Sequence, residues 1–352
     1  MTDRAARVGE VQTVLGPVPP AALGVTMIHE HLLIDLTCLF SEPTSERERA
    51  LARQPVQMSN LSWIRRFWNS NLDNLRLDDE ASMVEEARQY RADGGATIVE
   101  VSNVGLGRDP IGLQRIARAV SLNIVMGCGY YVAPSHPPDM DDRTVEQIED
   151  EIVRDITLGV GDTGVRAGII GELGCSWPLT ANERKVLQAG ARAQRRTGAP
   201  ISVHIGRHED SPLEIMACLK DAGADLGRVI MSHMDRIWPP LDKLRTLARA
   251  GCAIGLDTFG QETWVYPFGG ADRLSDAQRV DLIKLLVADG FDRQIFVSHD
   301  VGYKHRLSSY GGSGLSHILT TVIPFVMRRK GLTDDLIHLF LVENPARILA
   351  FA

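Results

Sequence analysis

Six side chains of the kinds that bind metal ions stand at the ends of short apolar runs in this sequence. His29 and His31 close the run VTMIHEH. The other four follow the runs AGIIG, PISV, VIMS and QIFVSH, and they are Glu172, His204, His233 and Asp300. In a parallel β-barrel the C-terminal ends of all strands meet at one end, so ligands carried by different strands converge there. The pattern therefore predicts a metal centre that activates water for hydrolysis.

The pair of histidines at the end of the first run has strand spacing. His29 and His31 are two residues apart, and side chains at positions i and i+2 of a strand point to the same side. Both imidazoles can therefore reach one metal. A lone His-x-His pair is common by chance, and here its position before further ligand-type residues favours a metal site.

The three ligand candidates in the middle of the chain each have an ordinary alternative role. Glu172 could cap a helix or pair with an arginine, and a single buried histidine is commonly hydrogen-bonded within a core. His204 and His233 occupy matching positions at the ends of consecutive runs. This match, together with the preceding His-x-His pair, favours the interpretation that all three bind metal.

Two adjacent residues close the eighth run, and a strand turns adjacent side chains to opposite faces. We expect Asp300 to face the metals, because a carboxylate can bind a metal and also accept a proton. His299 is then expected to pack behind the site. Glu100, after the second run, is a rival carboxylate that we interpret as a polar group behind the ligands or within the barrel.

The ligands need a scaffold of alternating strands and helices. The eight β-rich runs span 25–31, 96–102, 123–129, 167–173, 200–206, 228–234, 252–258 and 294–300. They are almost continuously apolar, as strands of a parallel sheet covered by helices are. Helical patterns fill gaps between them, and the one over 180–200 has Thr180 as N-cap, Glu183 three residues later and Gly198 at its end. We predict an α/β fold, a (β/α)8 TIM barrel with a metal site at the C-terminal ends of its strands; the family resemblance given below implies that this site is binuclear.

Length and composition agree with one decorated barrel domain over 1–352, with a lead-in at 1–24 and an insertion at 32–75 after the first strand. The insertion is interpreted as a helix on the barrel rim, with a lid or a homodimer contact as the alternative. The net charge of −7 gives no support for nucleic-acid binding. Five scattered cysteines, no apolar leader and no run of about 18 apolar residues indicate a cytoplasmic protein without a membrane span.

The ligand pattern resembles that of the phosphotriesterase family of the amidohydrolase superfamily, and the resemblance extends from GPVPPAALGVTMIHEH to VENPARILA. It implies that the more buried metal is bound by His29, His31 and Asp300. It also implies that the more exposed metal is bound by His204 and His233. Many relatives bridge the metals with a carboxylated lysine from strand four. The first lysine in this chain is Lys185, beyond the fourth run, so Glu172 is expected to form the bridge.

Other residues of the pattern bear on the substrate. Lactonase-like relatives often carry an arginine after the aspartate that ends strand seven, whereas this chain has Thr258 in GLDTFG, which disfavours simple acyl-homoserine lactones. Tyr131 in the GYY motif is expected near the metal-bound hydroxide. The resemblance implies two divalent ions, with zinc expected and manganese, cobalt or iron as alternatives. A bridging hydroxide would attack the substrate, and Asp300 would accept the proton.

The loop after the eighth run is basic. Lys304, Arg306 and Tyr310 cluster there beside glycines, and Arg207 follows the fifth run. We expect these four residues to bind an anionic group of a small-molecule substrate, with a solvated basic loop as the alternative. The predicted function is hydrolysis of a lactone or ester, with a phosphate as the expected anionic group. The alternatives are an organophosphate triesterase and a metal-containing binding protein without turnover.

Overall fold

The computed structural model describes residues 8–236, 240–262 and 273–352. The first seven residues of the predicted lead-in lie outside these ranges. In the described part, no helix has the length and apolar character needed to cross a membrane. The five cysteines all lie within the described ranges, and all are free thiols.

A sheet of eight parallel strands forms the centre of the protein, with the strands neighbouring one another in chain order. Backbone hydrogen bonds join the last strand region to the first, because Asp300 N donates to His29 O at 3.2 Å and His31 N donates to Val301 O at 3.3 Å. The predicted TIM barrel is confirmed. Its strands are β1 (Thr26–Glu30), β2 (Thr97–Glu100), β3 (Asn123–Cys128), β4 (Ile169–Gly174), β5 (Ile201–His204), β6 (Val229–Ser232), β7 (Ala253–Leu256) and β8 (Ile295–Val297).

Helices follow the strands around the barrel. In the described residues they are α1 (Glu46–Ala52), α2 (Leu61–Arg66), α3 (Glu80–Ala92), α4 (Pro110–Val120), α5 (Val145–Thr157), α6 (Ala181–Thr197), α7 (Ser211–Asp221), α8 (Leu241–Arg249), α9 (Asp276–Ala288), α10 (Asp334–His338) and α11 (Asn344–Leu349), with wider π-helical turns over Ile318–Met327 and Leu339–Glu343. The predicted ends of α6 are confirmed. Thr180 and Glu183 form a reciprocal capping box, and Gly198 ends the helix with a φ of 77°.

Seven of the eight predicted runs end one to three residues earlier as strands than the sequence suggested, β6 and β8 among them. β6 ends at Ser232 and β8 ends at Val297. The ligand candidates beyond them, His233 and Asp300, have left-handed backbones with φ of 60° and 55°. Residues other than glycine adopt this conformation at a cost, and such strain gathers at functional sites. The chain thus leaves the strand geometry where these two side chains must turn over the barrel mouth.

The barrel has an apolar interior, and the lead-in and the insertion add a hairpin and a second small core to it. Apolar side chains from seven of the strands fill the interior, and Val11 and Leu23 pack against them from the lead-in. The lead-in forms a hairpin, Val11–Thr13 with Gly16–Val18. The insertion after β1 carries α1 and α2 and has a small core of its own, formed by Ala52, Val56, Leu61, Trp63 and Ile64.

Candidate active site

Glu172 lies at the centre of the converging strand ends. Its Oε2 is 2.8 Å from His204 Nδ1 and 3.4 Å from both His29 Nε2 and His233 Nε2. Its Oε1 is 3.4 Å from His31 Nε2. One buried carboxylate therefore contacts all four imidazoles and faces them with both oxygens, as a group that bridges two cations must.

Asp300 completes the cluster on the side of the His-x-His pair. Its Oδ1 is 3.5 Å from His31 Nε2 and 3.7 Å from His29 Nε2. The side chain is 17% exposed, whereas the His29 and His31 side chains are at most 3% exposed. Gln261 Nε2 lies 3.3 Å from Asp300 Oδ2 and can donate to it. Asp300 is thus the ligand candidate that faces solvent most openly.

The histidines each turn one ring nitrogen inward and anchor the other. His29 Nδ1 contacts Ser232 Oγ at 3.1 Å, and His31 Nδ1 contacts Ser102 Oγ at 3.0 Å. His233 Nδ1 lies 2.8 Å from Asp257 Oδ1. Metal-binding histidines are held by such contacts on their second nitrogen, which fix the tautomer and the ring orientation.

His204 has the same arrangement with its nitrogens exchanged. Its Nδ1 faces Glu172 and lies 3.0 Å from His233 Nε2, while its Nε2 lies 3.4 Å from Tyr131 Oη and 3.2 Å from Arg236 Nη1. Burial and the Arg236 guanidinium hold the pKa of His204 well below its usual range. The imidazole is therefore neutral and has a lone pair to offer.

The charge balance of the cluster calls for a cation. Burial alone would raise the pKa of Glu172, yet His29 and His204 outweigh burial and hold this pKa well below its usual range. Burial alone would lower the pKa of His31, but hydrogen bonding to Asp300 and Glu172 raises it to about 10. The carboxylates of Glu172 and Asp300 thus require positive charge close to them, which a proton or a metal ion can supply.

The residues fit divalent metal ions. Ligand atoms that lie within 4.8 Å of one another form two groups, which are His29 with His31 and Asp300, and His29 with Glu172 and His233. His29 Nε2 is buried and has no hydrogen-bond partner. A buried nitrogen without a partner costs free energy, and a metal ion held between the two groups would relieve that cost.

Two further residues named from the sequence, Glu100 and His299, lie behind the ligand candidates. Glu100 accepts a hydrogen bond of 2.5 Å from Ser102 Oγ, the atom that also contacts His31. Burial raises the pKa of Glu100 to about 7. His299 faces away from the cluster, with Nδ1 2.8 Å from Glu30 Oε1 and Nε2 accepting from the Ile318 backbone N–H. Both therefore support the ligand shell from outside.

A cleft opens over the cluster and carries three arginines. Arg207 was predicted to bind substrate, whereas Arg236 and Arg273 were not. Tyr131 also faces the cleft, as do Trp68 of the insertion and Tyr303 of the loop after β8. The lining residues are His31, Leu36, Trp68, Tyr131, Glu172, His204, Arg207, Arg236, Gln261, Arg273, Asp300, Gly302 and Tyr303.

The structure does not bring the other three predicted substrate residues to this cleft. Lys304 Nζ pairs with Asp73 Oδ1 of the insertion at 2.5 Å. Arg306 is 5% exposed, and its Nη2 donates to two backbone carbonyls, of Phe259 and His299. Tyr310 packs against the small core of the insertion. The loop after β8 turns back onto the insertion and the barrel rim, and the assignment of Lys304, Arg306 and Tyr310 to the substrate stays a prediction that these contacts do not support.

Three residues at the site were not among the candidates named from the sequence. Asp257 is fully buried after β7 and accepts hydrogen bonds of 2.8 Å from both the backbone N–H and Nδ1 of His233. Arg236 follows His233 by three residues, and a basic residue so close behind a predicted ligand was a usable signal. Arg273 precedes α9 and follows no strand end, so the sequence pattern held no signal for it.

Removal of divalent metal bound at this cluster is a test of the site, and we expect it to lower the thermal stability of the protein. Without the metal the buried carboxylates lack a permanent cation and His29 Nε2 lacks a partner. A ligand at 100 times its dissociation constant stabilises a fold by about 2.7 kcal/mol. We expect calorimetry after treatment with a chelator to show a lower Tm, restored by added Zn²⁺. Mg²⁺ serves as the control, because it prefers oxygen ligands. An unchanged Tm after complete metal removal would argue against the site.

Several known proteins are similar to this chain in sequence and in fold. The Phosphotriesterase family profile matches residues 9–349. The chain is 41% identical to N-acetyltaurine hydrolase of Dictyostelium discoideum, covering 97% of this chain and 98% of that protein, and 39% identical to a phosphotriesterase-related protein of Nematostella vectensis, covering 97% and 99%. The crystal structure of a resiniferatoxin-binding protein from Rhodobacter sphaeroides superposes with a TM-score of 0.95 at 34% identity, covering 99% and 98%. This chain is a hydrolytic enzyme, and it belongs to the phosphotriesterase family.

Proposed function

We propose that the enzyme hydrolyses the amide bond of a small acylated amine that bears an anionic group, with N-acetyltaurine as the first candidate substrate. The observation that carries the proposal is one cleft in which a metal-binding cluster and three arginines face each other. N-acetyltaurine joins an amide to a sulfonate, so it suits both halves of that cleft. The name of the Dictyostelium relative supports the choice.

Six residues would hold two metal ions, with zinc as the expected metal, and the bridging carboxylate would be Glu172. When bound, the ions supply Lewis acidity and lower the pKa of water. The donor set of imidazoles and carboxylates suits zinc. The ligands are His29, His31, Glu172, His204, His233 and Asp300.

Asp300 is the residue that we assign to proton transfer. Burial alone would raise its pKa, but His233 and His31 hold the pKa below its usual range. The carboxylate is therefore ionised at neutral pH and can accept a proton from the attacking water. Its partial exposure to the cleft lets it pass that proton to the amine as the C–N bond breaks.

Tyr131 can stabilise the reacting carbonyl group. Burial, together with the negative charge of Glu172, raises the pKa of Tyr131 well above its usual range. The phenol therefore keeps its proton and remains a hydrogen-bond donor. Because Tyr131 lines the cleft beside His204, it can donate to an oxygen on which negative charge develops.

A lactone or ester with an anionic group is the alternative substrate, because its hydrolysis needs the same groups. A neutral organophosphate triester would gain nothing from the arginines. The test is a panel on metal-loaded enzyme that contains N-acetyltaurine, a sugar-lactone phosphate, a neutral lactone and an aryl dialkyl phosphate. We expect the highest kcat/KM for N-acetyltaurine. Preference for the triester would refute the anionic-substrate proposal, and no hydrolysis of any member would favour a binding protein without turnover.

A further inference from the structure

Arg236 differs from ordinary cleft arginines because it is buried and rigidly held. It is 5% exposed, and its Nη2 donates a hydrogen bond of 2.6 Å to the carbonyl oxygen of Ile205, just beyond β5. Its Nε has no hydrogen-bond partner. The guanidinium is therefore fixed at the cleft with a donor that the protein leaves unused.

A second donor of Arg236 is released if His204 binds metal. With Nδ1 as a ligand, the neutral His204 ring carries its proton on Nε2, and Tyr131 Oη at 3.4 Å can accept it. Arginine only donates, so Arg236 Nη1, 3.2 Å from the same Nε2, then has no acceptor in that ring. Arg236 Nη1 would thus lack an acceptor in the part of the protein that the structure describes, as the buried Nε already does.

Within residues 8–236, 240–262 and 273–352, no carboxylate forms an ion pair with Arg236, although most other buried charges of the site have one. A buried charge without a counterion is costly. An anion on the substrate would remove this cost, so substrate binding and charge neutralisation coincide at Arg236.

The position of Arg236 also limits the length of the substrate. His204 Nδ1 lies at the centre of the cluster, 2.8 Å from Glu172, and the opposite nitrogen of the same ring faces Arg236. One imidazole ring and one contact of 3.2 Å therefore separate the guanidinium from the ligand atoms. A substrate whose carbonyl sits over the cluster must carry its anion only a few bonds away.

We propose that Arg236 is the specificity-determining anchor for the anion of the substrate, and that it favours substrates in which only a few bonds separate the scissile amide nitrogen from that anion. This inference rests on the proposed amide hydrolysis. Guanidinium pairs with sulfonate and carboxylate alike, so charge and spacing decide acceptance more than the identity of the anion. Arg207 and Arg273 also line the cleft and add positive potential there. That potential attracts the substrate anion whatever the length of the spacer between the anion and the amide.

Four acetylated amines test the inference on the metal-loaded enzyme. N-acetyltaurine and N-acetyl-β-alanine have a two-carbon spacer and an anion, N-acetylhomotaurine has three carbons, and N-acetylethanolamine has two carbons and no charge. We expect the first two to exceed the others in kcat/KM by about tenfold or more. Arg236→Gln should raise KM for the first two by a similar factor and KM for N-acetylethanolamine by much less, and Arg236→Lys should restore part of the loss.

Binding of the product taurine, measured by calorimetry, provides a readout independent of turnover. We expect Arg236→Gln to weaken it about tenfold or more with the metal content unchanged. Arg108→Gln is the matched control, because Arg108 is also buried but pairs with Asp155 at 2.9 Å outside the site. The control should lose stability and keep the charge preference.

The outcomes separate the inference from the proposed function. Equal rates on N-acetyltaurine and N-acetylethanolamine, or an equal loss on both in Arg236→Gln, would overturn the role of Arg236 and leave amide hydrolysis intact. If no acetylated amine is hydrolysed, the proposed function fails. In that case taurine binding that Arg236→Gln abolishes would still support the anion anchor, and unaltered or absent binding would overturn it.

Discussion

Asp300→Asn is expected to lower kcat by about 10²–10⁴-fold while leaving the fold intact. The amide keeps the size of the side chain but accepts a proton poorly and binds a cation weakly. Asparagine tolerates the left-handed backbone at this position, where φ is 55°. The hydrogen bond from Asp300 N to His29 O involves only the backbone and survives the change. Activity on N-acetyltaurine and the melting temperature, measured together, check the prediction.

The matched control for this variant is Asp292→Asn, at the opposite end of β8. The Asp292 side chain accepts a hydrogen bond from the Arg293 backbone N–H, outside the cluster. We expect wild-type activity from the control. If metal-loaded Asp300→Asn also kept wild-type turnover, the proton-transfer role would be wrong, and the carboxylate of another residue would have to be sought.

Glu172→Gln is expected to have the second large effect, the loss of most metal affinity and most activity. The wild-type carboxylate contacts all four imidazoles and carries a full negative charge. A neutral amide of the same shape cannot neutralise two cations, whose electrostatic contribution to hydrolysis amounts to several kcal/mol. Metal content after dialysis and kcat/KM should therefore fall together.

Glu146→Gln is the control for the loss of one carboxylate. Glu146 lies at the surface, where it pairs with Arg192 at 2.6 Å. Exposed pairs of this kind contribute about 0–1 kcal/mol, so metal content and activity should match the wild type. Full metal occupancy and full activity in Glu172→Gln would show that the bridge is unnecessary.

The fold and the position of the cluster could be predicted because both follow from simple periodicities. Buried parallel strands need nearly continuous apolar runs, and every run ended close to where the barrel mouth lies. The pair His29 and His31 followed directly from the two-residue period of a strand. Strand alternation predicted that Asp300 and His299 face opposite sides. In the structure Asp300 lies beyond β8 with a left-handed backbone, so the loop after the strand sets the direction of its side chain.

The cleft was harder to predict because loops build it. Lys304 and Arg306 follow Asp300 by four and six residues, and Arg236 follows His233 by three, yet of these three residues only Arg236 lines the cleft. The difference is the direction in which each loop turns, which depends on partners such as Asp73 that lie far away in the sequence. Basic residues near a strand end are therefore candidates, and tertiary contacts decide between them.

Four features stay predictions from the sequence, namely the single-domain boundaries, the homodimer, the cytoplasmic location and the identity of the metal. The role of the insertion as a lid also remains open to test, although Trp68 of that insertion lines the cleft and its ring centroid lies 4.6 Å from that of Tyr303. The insertion thus contributes at least one wall of the site.

We propose that this cluster holds two metal ions and that hydrolysis requires both. Titration of the metal-stripped protein with Zn²⁺, with bound metal measured by mass spectrometry and acetate release from N-acetyltaurine followed in parallel, tests it most directly. We predict that binding saturates at two ions per chain and that activity reaches its plateau at the same point. Saturation at one ion or none, or full activity in the metal-stripped protein, would contradict the claim.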